Sequence, residues 1–219
     1  MKKAFFCIDG FSFRRINDYY KYEHKRHSRL KIASFETYLR YEMERRLGIE
    51  SNSENLSFEK HFYHPSQSPH SYFYRKDVRD SILKFENSLV EAGYAVHYSK
   101  NLPSSGAKPN ENIFMDSMLA MQLKHFDFFI LLSTQGDYAN LLRSFRNSRI
   151  TSILVGWDAH CTNSYGENRC WRTDKILLNN ANVYCPLDKM LNLPNSKNPL
   201  VEIMFEISSP NCPLNSRCG

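Results

Sequence analysis

Apolar residues along this chain alternate between short continuous runs and stripes at helical spacing. Residues 3–8 form an apolar run closed by Asp9-Gly10, the pattern of a buried strand. Phe35, Leu39, Met43 and Leu47 recur at helical spacing between Ser34 and Gly48 and predict a helix over 34–47. Residues 56–64 alternate and are rich in β formers, so they read as a second strand, followed by a Pro/Ser loop over 65–69. Val78, Ile82, Phe85 and Leu89 share one face of a helix over 77–92 that stops at Gly93. The pattern then predicts a strand over 94–99, a loop over 102–108, a helix over 109–124 opened by Pro109, and an apolar strand over 127–133. A helix over 138–146 and a strand over 150–155 follow. Residues 157–170 read as loop, 171–178 as a short helix, 183–185 as a last strand, and 191–219 as an irregular tail.

Strands that alternate with helices predict an α/β fold: one Rossmann-like domain over 1–190, its mostly parallel sheet covered by helices on both faces. Ligands of such sheets bind in the crevice at the carboxyl ends of the strands. With 219 residues the chain is long enough to bury a core unaided, and 42% hydrophobic and 24% charged residues fit neither a disordered chain nor a membrane bundle. The longest apolar run, 128–132, is far short of the roughly 20 residues that span a bilayer. Asp9 and Gly10 interrupt the N-terminal apolar stretch before it reaches signal-peptide length, so a cytoplasmic location with reduced cysteines is expected. No C-x2-C pair occurs. His160, Cys161 and Cys170 are the nearest approach to a zinc set.

The net charge of +6 is uneven. Residues 14–31 carry seven Lys or Arg against Asp18 and Glu23, a local balance of +5, interleaved with Tyr19, Tyr20 and Tyr22. Cations that release phosphate counterions and rings that stack on bases suit a polyanion; a solvated helix face is the plainer reading. The strip 14–31, part of a basic insert over about 14–56, leaves the sheet directly after Asp9 and is expected beside the crevice mouth. Lys60, His61 and His64 near the end of the second strand are either RNA contacts or ordinary packing.

The crevice rule groups three acids from distant positions. Asp9 follows the first strand, Asp137 lies just beyond Ser133 at the end of the apolar strand, and Asp116 lies in the helix before it. Clustered carboxylates suit Mg2+ or Mn2+, which neutralise phosphates and activate water. Taken singly, Asp9-Gly10 reads as a turn and Asp137 as a helix N-cap.

The order of these pieces resembles the NYN family of PIN-like nucleases, its bacterial branch in particular. The matching segments are residues 6–12 for the opening strand, 108–119 for the acid-bearing helix, 127–138 for the strand and its turn, and 141–156 and 172–185 for the remainder. The resemblance implies a metal-dependent ribonuclease in which Asp9, Asp116 and Asp137 hold Mg2+ or Mn2+. Gln135 stands where the family usually carries an acid. Counting back from Asp116, Asn110 falls on another acid position, and a one-residue slip puts Glu111 there. Ser12 stands where relatives often have Asn.

The leading expectation is an endoribonuclease that uses Asp9, Asp116, Asp137 and Glu111, with Ser12, Arg14, Arg15, Lys108, Asn110, Ser133 and Gln135 contacting RNA. A fold-retaining RNA-binding module that has lost turnover is the alternative, since amides at 110 and 135 keep hydrogen bonding but not charge. A phosphatase for small phosphorylated molecules is a third class. RNA is the expected partner and no membrane is; association of two copies is left open.

Overall fold

Strand β1 (Lys2–Asp9) turns Ala4, Phe6 and Ile8 to one face and Phe5 and Cys7 to the other, and all five are buried. A strand apolar on both faces needs a layer on each side, the condition of a parallel sheet between helices. The computed structural model describes residues 1–49, 56–65, 76–99, 110–123, 125–162, 168–191 and 199–206. In it β1 lies between β2 (Leu56–His64) and β4 (Phe128–Leu132). The sheet runs in the order β3 (Ala95–Tyr98), β2, β1, β4, β5 (Thr151–Gly156), β8 (Val183–Pro186), every pairing parallel.

One face packs on α1 (Gly10–Asp18), α2 (Ile32–Leu47) and α3 (Lys76–Glu91) through Phe13, Ile16, Phe35, Leu39, Met43 and Leu89. The other packs on α4 (Glu111–Leu123), α5 (Ala139–Asn147) and α6 (Lys175–Asn180) through Ile113, Leu141, Leu142, Phe145 and Leu177. This is a single Rossmann-like α/β domain. Winding proceeds outward in opposite directions from β1 and β4, so the point where strand order reverses lies between their carboxyl ends.

The six sheet strands form within one residue of their expected bounds. Three regions differ. Where a loop and then a helix from 171 are expected, β6 (Ala159–Thr162) and β7 (Asn168–Trp171) pair antiparallel and bring Trp157 and Trp171 together against the core, and α6 begins only after Asp174. Polar residues between the two tryptophans hide that pattern. Residues 10–23 are helical, in α1 and a π-helical turn (Tyr19–Glu23), where Tyr19 packs on Trp157 and Tyr20 on Phe205. Two of the three tyrosines expected to face bases are therefore core residues.

The third difference is residues 199–206, which fold back onto the domain. After α7 (Leu187–Leu191), helix α8 (Pro199–Ile203) and its extension bury Val201, Met204 and Phe205. Leu30 pairs with Phe205, and Lys31 N–H donates to the Met204 carbonyl at 2.7 Å. The Arg26 guanidinium spans both Glu202 carboxylate oxygens at 3.0 Å and lies over the Phe205 ring. Within the basic strip the Arg26 side chain and the backbone of Arg29 and Lys31 thus dock this segment, whereas Arg15 lines a crevice. Met204→Ala is expected to cost about 2–5 kcal/mol in urea denaturation, as for other buried methionines; an undocked tail would give no loss.

Candidate functional site

The site begins at the β1–α1 junction. Asp9 is the last residue of β1 and the N-cap of α1, its Oδ1 accepting the Phe11 N–H at 3.2 Å. Gly10, read from sequence as half of a turn, is the first residue of α1. A Cβ there would lie 2.5 Å from the Tyr63 carbonyl oxygen, so the close approach of β2 excludes any side chain.

Asp9 itself is buried. Its Oδ2 accepts three donors: Ser12 Oγ at 2.7 Å, Ser133 Oγ at 3.0 Å and Gln135 Nε2 at 3.1 Å. Each hydroxyl in turn accepts a backbone N–H from the turn after β4, Thr134 onto Ser12 at 3.0 Å and Gln135 onto Ser133 at 3.1 Å. One carboxylate thereby ties α1 to the end of β4, across the switch point. Burial raises its pKa above the ordinary value, and the donors from Ser12 and Ser133 oppose that rise.

Above this junction lies a crevice of about 480 Å3. Phe11 and Arg15 from α1, Gln135 and Asp137 from the turn, and Arg172 and Lys175 beside α6 line it. The Arg15 guanidinium sits 4.6 Å from the Phe11 ring centroid. Among the described residues none of these three cations is engaged in an ion pair. Gly136 lets the turn close on the far wall, because a Cβ there would meet the Asp174 carboxylate at 2.4 Å.

Of the residues expected here, Asp9, Ser12, Ser133 and Gln135 come together, with Arg15 and Asp137 at the crevice. Asn110 is close by: its backbone N–H donates to the Tyr138 hydroxyl and its Nδ2 to the His64 carbonyl, both at 2.9 Å. Asp9 and Asp137 both act on that buried Tyr138, whose phenol is pushed up first by burial and then by the Asp9 charge. Asp116 is engaged elsewhere, accepting from the Tyr63 hydroxyl at 3.2 Å and facing His97 Nδ1 at 3.3 Å. Glu111 is exposed at the start of α4, and Arg14 pairs with Asp18 in solvent. Lys108 and the expected 102–108 loop lie outside the described residues. Lys60 is bound to Glu36 and the Ala92 carbonyl, a packing role. The pattern gave no signal for Lys175 or His97, which depend on how β3 and α6 are placed.

An Mg2+ or Mn2+ ion needs several open carboxylate oxygens. Among the described residues no three His, Cys, Asp or Glu side chains are grouped to hold one ion, and Asp9 Oδ2 already has three donors. The described residues, as placed, do not form an acid-held metal centre. His160, Cys161 and Cys170 likewise do not group as one, although Cys170 Sγ lies 3.9 Å from His160 Nε2. Cys7 and Cys185 are buried, with burial pushing their thiols up to about 12 and about 11, as expected of cysteines acting as small hydrophobes. No helix among the described residues is long and apolar enough to cross a membrane.

The fold and crevice define a Rossmann-like α/β protein with a switch-point cleft lined by three cations and by the carboxylates of Asp137 and Asp174. No family model matches the chain, and no curated protein matches it. Among solved structures it is similar to a protein of unknown function, VPA0982 from Vibrio parahaemolyticus RIMD 2210633. The TM-score is 0.56 at 13% identity, over 85% of this chain and 93% of that one. The likeness extends to the fold.

The Asp9 network sets two expectations. Asp9→Ala leaves buried hydroxyl and amide donors without an acceptor and costs about 1–3 kcal/mol. In the wild type the folded state retains a proton that the unfolded state releases near 3.8, so Asp9 adds most stability below that pH, and this is lost as pH rises through the raised folded value. Urea midpoints measured from acid to neutral pH should therefore show wild type losing stability relative to Asp9→Asn as pH rises; a constant difference would contradict the shift.

Proposed function

We propose that the chain is an RNA-binding module on a PIN- and NYN-like Rossmann domain, which holds single-stranded RNA at the switch-point crevice without an acid-bound metal. The observation that carries this reading is the Asp9 network. The acid on which hydrolysis would depend accepts four protein donors and is not part of the crevice lining, whereas Arg15, Arg172 and Lys175 are. Phosphates meet those guanidinium and ammonium groups, and the Phe11 ring with its stacked Arg15 offers a base a flat partner. Gln135 keeps hydrogen-bonding capacity where a carboxylate would repel phosphate.

Hydrolysis of RNA with Mg2+ or Mn2+ is the second reading. It is favoured by the placement of Asp9 at the end of β1 and of Asp137 in the turn after β4, both at the carboxyl edge of the sheet. One experiment separates the two. Labelled single-stranded RNA is titrated across a salt series and then incubated with Mg2+ or Mn2+, using wild type, Asp9→Asn, and the triple variant Arg15→Gln, Arg172→Gln, Lys175→Gln. The binding reading predicts that the log affinity against log salt slope falls by about 2 in the triple variant, roughly 0.7 per lost contact. It also predicts intact RNA throughout. Metal-dependent cleavage that disappears in Asp9→Asn would establish the ribonuclease instead, and an unchanged slope would remove the crevice from RNA binding.

A further inference from the structure

On the face of the sheet covered by α4, four side chains form a line that the crevice does not use. Glu59 and His61 share one side of β2, His97 comes from β3 and Asp116 from α4. Glu59 Oε1 is 3.2 Å from His61 Nε2, His61 Nδ1 is 2.9 Å from His97 Nε2, and His97 Nδ1 is 3.3 Å from Asp116 Oδ2. Tyr63 stacks on His97 and donates its hydroxyl to Asp116, and Phe5 packs against His61, so both rings are held in place.

Counting hydrogens shows what this line requires. Each outer nitrogen faces a carboxylate, which favours the tautomer with the ring's hydrogen on that side. A neutral imidazole has only one N–H. With both hydrogens outward, the inner nitrogens aim lone pairs at each other across 2.9 Å, an arrangement that a proton or a metal ion between them satisfies; turning one ring to its other tautomer makes an N–H···N hydrogen bond instead and gives up that ring's carboxylate partner. The outer carboxylates also match the partners that orient metal-bound imidazoles, which commonly donate their second N–H to a carboxylate.

We propose that His61 Nδ1 and His97 Nε2 form a two-histidine site for a divalent late first-row transition ion such as Ni2+ or Zn2+, with Glu59 and Asp116 as positioning residues. At the usual metal–imidazole length of about 2.0–2.1 Å, nitrogens 2.9 Å apart subtend roughly 90° at the ion, and opening by about 0.4 Å gives the tetrahedral angle. Among the described residues no third His, Cys, Asp or Glu joins them, so water fills the remaining positions. His97 and Asp116, with 27% and 34% of their side chains accessible, leave the site open to solvent. Imidazole ligands select these ions over Mg2+, which prefers oxygen.

The test is calorimetric titration of the chelator-stripped full chain with Ni2+, Zn2+ and Mg2+. Wild type should take up one equivalent of Ni2+ or Zn2+ and no Mg2+ at this site. His97→Gln should abolish that event, Asp116→Asn should weaken it about 10- to 100-fold, and His160→Gln, which alters the β6 histidine beside Cys170, should leave it intact. Absence of Ni2+ and Zn2+ binding by wild type overturns the proposal and leaves the contact as a His–His hydrogen bond. Equal binding by a folded His97→Gln also overturns it. If the His97 change unfolds the chain, histidine ring NMR of wild type decides: Zn2+ must shift the signals of His61 and His97, and shifts confined to other histidines would refute the site.

Discussion

Everything at the carboxyl edge of this sheet depends on one buried charge being satisfied. An ionised carboxylate taken out of water is costly unless hydrogen-bonded donors replace its hydration. Asp9 obtains those donors from both sides of the switch point: Phe11 and Ser12 lie in the first turn of α1, and Ser133 and Gln135 at the end of β4. The two serines are relays, each passing a backbone N–H of the β4 turn on to the carboxylate through its own hydroxyl. The requirement of one side chain thereby fixes the approach of α1, the path of residues 133–135 and, through them, the floor of the crevice.

The same residue type serves another purpose where the surroundings differ. Asp116 meets a phenol and an imidazole instead of hydroxyls and an amide, and it orients His97. Burial pushes His97 towards its neutral form, with the Asp116 charge opposing and His61 reinforcing that shift. The acids that sequence order groups as one cluster thus belong to separate polar networks, one tying strand ends together and one along the α4 face.

The sheet was legible because its central strands are buried on both sides and so read as continuous apolar runs, set apart by helical stripes. The pairing of β6 with β7 and the docked segment at 199–206 were not, since Trp157, Trp171, Val201, Met204 and Phe205 are large anchors separated by polar residues with neither period. Within the site, Asp9, Ser12, Ser133 and Gln135 could be grouped from sequence because a parallel sheet brings strand ends to one edge. Asp116 could not be placed that way. Its position depends on the rotational phase of α4, and the partnership of His61 with His97 depends on the β2–β3 register, in which His97 lies opposite Tyr63. Arg26 illustrates the limit of charge counting, since its cation is used within the fold on Glu202 and Phe205.

The central claim is that Asp9 is a structural tie between α1 and the β4 turn, and a double-mutant cycle in metal-free buffer tests it most directly. Urea unfolding of wild type, Asp9→Ala, Ser133→Ala and the double variant gives the coupling between the two side chains. A structural tie predicts that both single changes destabilise and that the coupling falls within about 0.5–3 kcal/mol. An Asp9→Ala variant more stable than wild type, with additive effects at Ser133, would show instead a carboxylate held in repulsion and awaiting a cation.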